Sequence, residues 1–198
     1  NQIEVIPSIA KSIPANQKLY VKEHPSQYLR GWREISDYNS IMKIPNVILI
    51  HPEFSSEKLY QKCSLVITIS GTAGFEAALY EKPSIILNEL RYSILPSVHK
   101  LKSFEELPSV INNSIETKVN IDDINRYVKL LESVTIEFNW LEFQQKFQKE
   151  FYFNDTFRDA EISESKLKKF LEQNKNILEQ LAKDHVKKMN ELENNSNC

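Results

Sequence analysis

A chain of 198 residues has room for one well-buried α/β domain with added helices and is short for two full domains of ordinary size. Its 25 basic and 27 acidic residues leave a net charge of −2, so no global field draws in nucleic acid or an anionic membrane, and any anion binding must be local. Two cysteines, Cys63 and the terminal Cys198, make no disulfide framework and fit a reducing cytoplasm. No apolar run approaches the roughly 18 residues of a bilayer span, and the start lacks the charged-then-apolar layout of a signal peptide. The chain opens on Asn1 without an initiator methionine, which is expected of the C-terminal part of a longer protein.

Residues 18–24 predict a strand stopped by Pro25, which has no N–H to continue a ladder. A polar connection follows, helical around 34–43, and then a second apolar strand over 46–50 that ends at His51-Pro52. Ser55 caps a short helix running to about Cys63. Residues 65–69 predict a third strand, 73–81 a helix and 83–87 a fourth strand. Apolar strands of about five residues alternating with helices point to one parallel sheet covered on both faces, an α/β domain over residues 1–117. Residues 118–198 read as a helical extension. Helices are expected over 104–115 and 121–133, and Phe143, Phe147 and Phe151 line one face of a helix within 138–157. That aromatic stripe packs either against the sheet domain or a partner domain, or stacks on a ligand. Residues 163–193 predict one polar helix with a discontinuous apolar face, too irregular for a coiled coil.

The chain holds three glycines, and two of them, Gly71 and Gly74, fall in one run, Ser70-Gly71-Thr72-Ala73-Gly74-Phe75-Glu76, between the third strand and a helix. Such a turn can aim backbone N–H groups and hydroxyls at a phosphate on the positive end of a helix. In a doubly wound sheet ligands gather at the carboxyl ends of strands, and His24-Pro25, His51-Pro52 and Ser70-Gly71-Thr72 mark three such ends. A histidine beside that turn donates to phosphate and, when protonated, adds a charge. Lys22 lies two residues before His24, and Glu76 stands one turn into the helix, where it can accept from hydroxyls or orient a histidine.

Lys22-Glu23-His24-Pro25, the run Ser70 to Ala77, and Lys82-Pro83 together resemble the His-Pro and S-x-x-G-x-E-A motifs of bacterial capsule polysaccharide biosynthesis proteins. That family includes transferases of Kdo from CMP-Kdo, and its motifs are similar to those of bacterial sialyltransferases and polysialyltransferases. The resemblance spans roughly residues 15–110. It implies the C-terminal, nucleotide-binding, Rossmann-like half of a GT-B glycosyltransferase, in which His24 contacts the CMP phosphate and acts in catalysis. Lys22, Pro25, Ser70, Gly71, Thr72 and Gly74 complete the nucleotide site, with Glu76 near the ribose or the histidine. Tyr92 matches an aromatic position after the fourth strand. Gly71 stands where many relatives carry a second hydroxyl, and no acceptor half is evident before residue 18. The implied partners are a nucleotide-sugar donor as substrate and a glycan or glycolipid acceptor. No cofactor, metal or nucleic acid is implied, the location is cytoplasmic, and any peripheral membrane association belongs to other parts of a parent protein.

Structural alternatives stand beside these assignments. His51 can simply close the turn into the next helix, Ser70 and Thr72 can cap the helix at Ala73, and Glu76 is favoured in a first turn by the helix dipole alone. Glu105-Glu106 and Lys187-Lys188 read as solvated faces. His99 and His185 lack partners at metal-ligand spacing, and no Cys/His cluster suggests zinc. The sequence has no G-x-S-x-G, no P-loop and no G-x-G-x-x-G, so the chemistry expected of a transferase here is electrostatic stabilisation of a departing nucleotide. A polyol-phosphate transferase using CDP-glycerol, or a non-catalytic nucleotide-binding or assembly module, are the competing functions.

Overall fold

A computed structural model describes residues 2–25, 33–152 and 162–196. The chain divides into two compact units, Asn1–Tyr127 and Val128–Cys198. The first is the α/β part. Its described elements run α1 (Gln2–Ser12), β1 (Leu19–Lys22), α2 (Ile35–Met42), β2 (Val47–Ile50), α3 (Ser56–Lys62), β3 (Val66–Thr68), α4 (Ala73–Leu79), β4 (Ser84–Ile86), β5 (Val98–Lys100) and α5 (Leu107–Ile115), then the first half of α6 (Ile121–Val134).

All strand pairings are parallel, as the run of apolar strands and helices predicts. They form two sheets rather than one: β1 pairs with β2, and β3-β4-β5 form a second sheet with β4 at its centre. The β5 strand is an addition to the four strands expected, since Val98-His99-Lys100 is too short and too polar to announce itself. Ile85 and Ile86 in the central strand are fully buried, which is worth about 1.5–3 kcal/mol for each side chain.

Helix α1, absent from the sequence-based reading, is what joins the two sheets. Val5, Ile9 and Ile13, spaced four apart, pack on a core with Ile85, Leu101, Leu107 and Ile111, together with Leu19 of β1 and Ile67 of β3. Ile3, Ile6 and Ala10 pack on a second core with Ile41 and Val47. Pro7 lies inside this helix and lacks the N–H that an interior turn uses. Burial of both faces outweighs that defect.

Helix α4 ends at Leu79 rather than Glu81. Glu81 adopts the left-handed backbone conformation (φ 58°), its N–H bonding Ala78 O at 2.9 Å and that of Lys82 bonding Ala77 O at 3.0 Å. This is the Schellman closure, with Glu81 where glycine is usual.

The second unit contains the remainder of α6, then α7 (Trp140–Phe151), α8 (Glu164–Gln173) and α9 (Lys175–Ser196). Within its own unit the aromatic stripe packs on α8. Phe143, Phe147 and Phe151 surround Phe170 of α8, with ring centroids 5.9, 5.7 and 5.1 Å from it. Phe153 and Phe157, at the end of the aromatic stretch 138–157, lie outside the described residues. The single helix expected over 163–193 is two, parted at Asn174, a buried residue whose Nδ2 donates to Phe170 O at 2.8 Å. A side-chain amide that competes for a helical carbonyl offers the backbone an alternative to continuing.

Candidate functional site

The Ser70–Glu76 segment leaves β3 and enters α4, and its side chains are tied into a network with two tyrosines. Thr72 Oγ1 donates to Glu76 Oε1 at 2.5 Å, and the Tyr60 hydroxyl, reaching over from α3, donates to Glu76 Oε2 at 2.9 Å. Both carboxylate oxygens are therefore engaged by hydroxyls, and neither bond goes to a histidine. Thr72 occupies the N-cap position of α4 without using its side chain as a cap. Its carbonyl instead accepts from the N–H groups of Phe75 and Glu76, both at 2.9 Å.

Gly71 N donates to Thr68 Oγ1 at 3.2 Å, and the Tyr92 hydroxyl donates to Gly71 O. Tyr92 is buried and lies against Phe75 (6.1 Å between ring centroids). It props the loop from beneath. Neither glycine uses a left-handed backbone conformation. They supply space. A Cβ on Gly74 would stand 2.8 Å from Tyr92 Oη and 3.0 Å from Ser84 Oγ, and one on Gly71 would stand 3.1 Å from Thr68 Oγ1. Ser84 is fully buried, and its hydroxyl has no partner among the described residues.

Burial first, and the bond to Glu76 second, push the Tyr60 phenol well above its ordinary range, and burial likewise raises Tyr92. Both stay protonated donors throughout neutral pH. Ser70 is exposed, two residues past the end of β3, and among the described residues its hydroxyl makes no bond. Thr72 is likewise exposed, and Ala73, the first residue of α4, is half-buried.

The second group of expected site residues sits at the end of β1. Lys22 is the last residue of that strand, half-buried and in register with Ile50, and His24 and Pro25 are exposed just beyond it. Glu23 between them is anchored: it forms an ion pair with Arg33 and accepts from the Tyr38 hydroxyl at 2.7 Å. The bond to Glu23 is also the main cause that raises the Tyr38 phenol. The chain just before His24 is thus held to the start of α2. Leu19 of β1 and Ile67 of β3 share one core cluster, so both groups stand at strand ends rooted in the same core.

His51 closes a turn, its Nδ1 accepting from Glu53 N at 3.3 Å and its carbonyl from Phe54 N at 2.9 Å. Tyr60 is the residue that sequence reasoning missed. It is one of eight tyrosines, and nothing in its local pattern sets it apart from a core aromatic of α3. Among the described residues, no group of three or more His, Cys, Asp or Glu side chains is arranged to hold a metal ion, and no helix is long and apolar enough to cross a membrane.

No curated protein and no solved structure matches the chain significantly. A family match does exist, to the capsule polysaccharide biosynthesis proteins. It covers residues 2–96, just under half of the chain, from α1 through the turn after β4. The segment includes the His24-Pro25 strand end, the Ser70–Glu76 loop and the two tyrosines that support the loop. Over residues 2–96 the chain is therefore similar to the capsule polysaccharide biosynthesis proteins.

Proposed function

We propose that the α/β unit is the donor-nucleotide half of a GT-B type glycosyltransferase for surface polysaccharide, working on a CMP-sugar such as CMP-Kdo in the cytoplasm. The observation that carries the reading is the pairing, inside the family segment, of an anchored His-Pro strand end with a Ser/Gly/Thr loop rooted in the same core. In this reading His24, Lys22, the Ser70 hydroxyl and the N–H groups of Thr72 and Ala73 hold the phosphate, while Pro25 and Gly71 shape the two turns. Gly74 and Glu76 keep the loop in its form. The chemistry is electrostatic, because the glycosidic bond breaks as negative charge builds on the departing nucleotide. Donors already in place stabilise that charge without reorganisation, and losing one costs about 3–4 kcal/mol in the transition state. The sugar acceptor, a glycan or glycolipid, is bound by parts of the enzyme other than this unit.

The test is calorimetric titration of the chain with CMP, CDP and UDP. The reading expects CMP to bind best and His24→Ala to abolish or severely weaken that binding with the fold intact by circular dichroism. Preference for CDP would instead support a polyol-phosphate transferase, and a folded chain that binds none of the three refutes the nucleotide readings.

A further inference from the structure

We infer that Tyr60 is a positioning residue of the Ser70–Glu76 loop: through the Glu76 carboxylate it sets the Thr72 hydroxyl as a hydrogen-bond acceptor, so Thr72 meets a hydroxyl or amino group of the nucleotide and not its phosphate. This deepens the nucleotide-binding reading above and rests on it. The argument begins with proton counting. An ionised carboxylate only accepts, so the 2.5 Å contact between Thr72 Oγ1 and Glu76 Oε1 takes the one hydroxyl proton Thr72 possesses. What Thr72 then turns outward is lone pairs.

Glu76 cannot readily release that proton by turning away. Its other oxygen holds the Tyr60 hydroxyl at 2.9 Å, and Tyr60 is itself fixed, 7 % exposed on α3 with its ring 5.6 Å from that of Tyr80. Rotation of the carboxylate takes from a buried phenol the acceptor of its proton. A phosphate oxygen brought to Thr72 Oγ1 would meet an oxygen with no proton to give and a carboxylate immediately behind it. Like charges repel there, whereas a ribose hydroxyl or a base amino group donates to the exposed Thr72 oxygen and is drawn by the same carboxylate. The phosphate falls to the neighbouring backbone N–H groups and Ser70.

The experiment uses the full chain, with CMP titrated directly and cytidine measured by competition. Thr72→Val is expected to weaken both ligands by the same factor, about tenfold, with Thr72→Ser restoring most of the loss. Tyr60→Phe is expected to weaken CMP several-fold, and Tyr60→Phe combined with Glu76→Gln to be no worse than Glu76→Gln alone, because Tyr60 acts through that carboxylate. In the ligand-free protein, ultraviolet titration of tyrosinate should show one tyrosine ionising at lower pH in Glu76→Gln than in the wild type. Loss of CMP affinity without loss of cytidine affinity in Thr72→Val, or additive effects of Tyr60→Phe and Glu76→Gln, overturns the inference while leaving the nucleotide reading intact. Failure of the wild type to bind CMP overturns the nucleotide reading itself.

Discussion

Gly74→Ala sets two opposed effects against each other, and the structure predicts which wins. On helix propensity alone the substitution favours folding, by up to about 1 kcal/mol and less in a first turn. The added methyl, however, would lie 2.8 Å from Tyr92 Oη, 2.9 Å from Tyr92 Cε2 and 3.0 Å from Ser84 Oγ. Neither neighbour can move cheaply, because Tyr92 is 6 % exposed and bonds Gly71 O, and Ser84 is fully buried in the central strand of its sheet. Overpacking of this kind costs about 1–3 kcal/mol. Displacing Tyr92 also gives up its bond to the loop, worth about 1 kcal/mol. The expected net result is destabilisation by about 1–3 kcal/mol, read as a lower urea midpoint at unchanged slope. In a Tyr92→Phe background the closest of the three contacts is gone, so Gly74→Ala should cost less there than in the wild type. A variant as stable as the wild type, or an equal cost in both backgrounds, would refute the claim that Gly74 is present for space.

At the other end of the same helix, Glu81→Gly should stabilise the protein by about 0.5–1 kcal/mol, since glycine occupies the left-handed C′ position without strain. A lower urea midpoint would contradict this. His99 carries the pH prediction. Burial lowers its pKa, and its Nε2 lies 3.1 Å from Thr117 Oγ1. As pH falls below the ordinary imidazole value of about 6.5, the unfolded chain takes up this proton before the folded chain does, so stability declines toward acid. The decline attributable to this group should be missing in His99→Asn when thermal midpoints are compared from neutral pH downward, and an unchanged pH profile would count against it.

Much of the α/β unit was readable because apolar runs bounded by breakers leave few alternatives. Val47–Ile50 ends at His51-Pro52, and Ser55 caps the next helix, its Oγ accepting from Lys58 N at 3.4 Å. Helix α1 escaped because Pro7 argues against a helix locally, whereas the two stripes that keep it are recognisable only once there are two cores to bury them. β5 escaped for the opposite reason, being three residues long and held by a neighbour in space. The loop motif was found, but the bonds within it could not be, since Tyr60 and Tyr92 stand 16 and 21 residues from the loop atoms they bind.

By itself the sequence determined the local matters: where strands stop, which turns contain glycine and hydroxyl residues, and which family segment includes them. Those outcomes depend on backbone sterics, side-chain periodicity and neighbours a few residues away. Only the tertiary structure decided that the strands form two sheets clasped by α1, that the aromatic stripe closes on Phe170, and that the Thr72 hydroxyl donates its hydrogen bond to Glu76. Each of these depends on which distant side chain occupies the adjoining space, and that is settled when the whole unit packs.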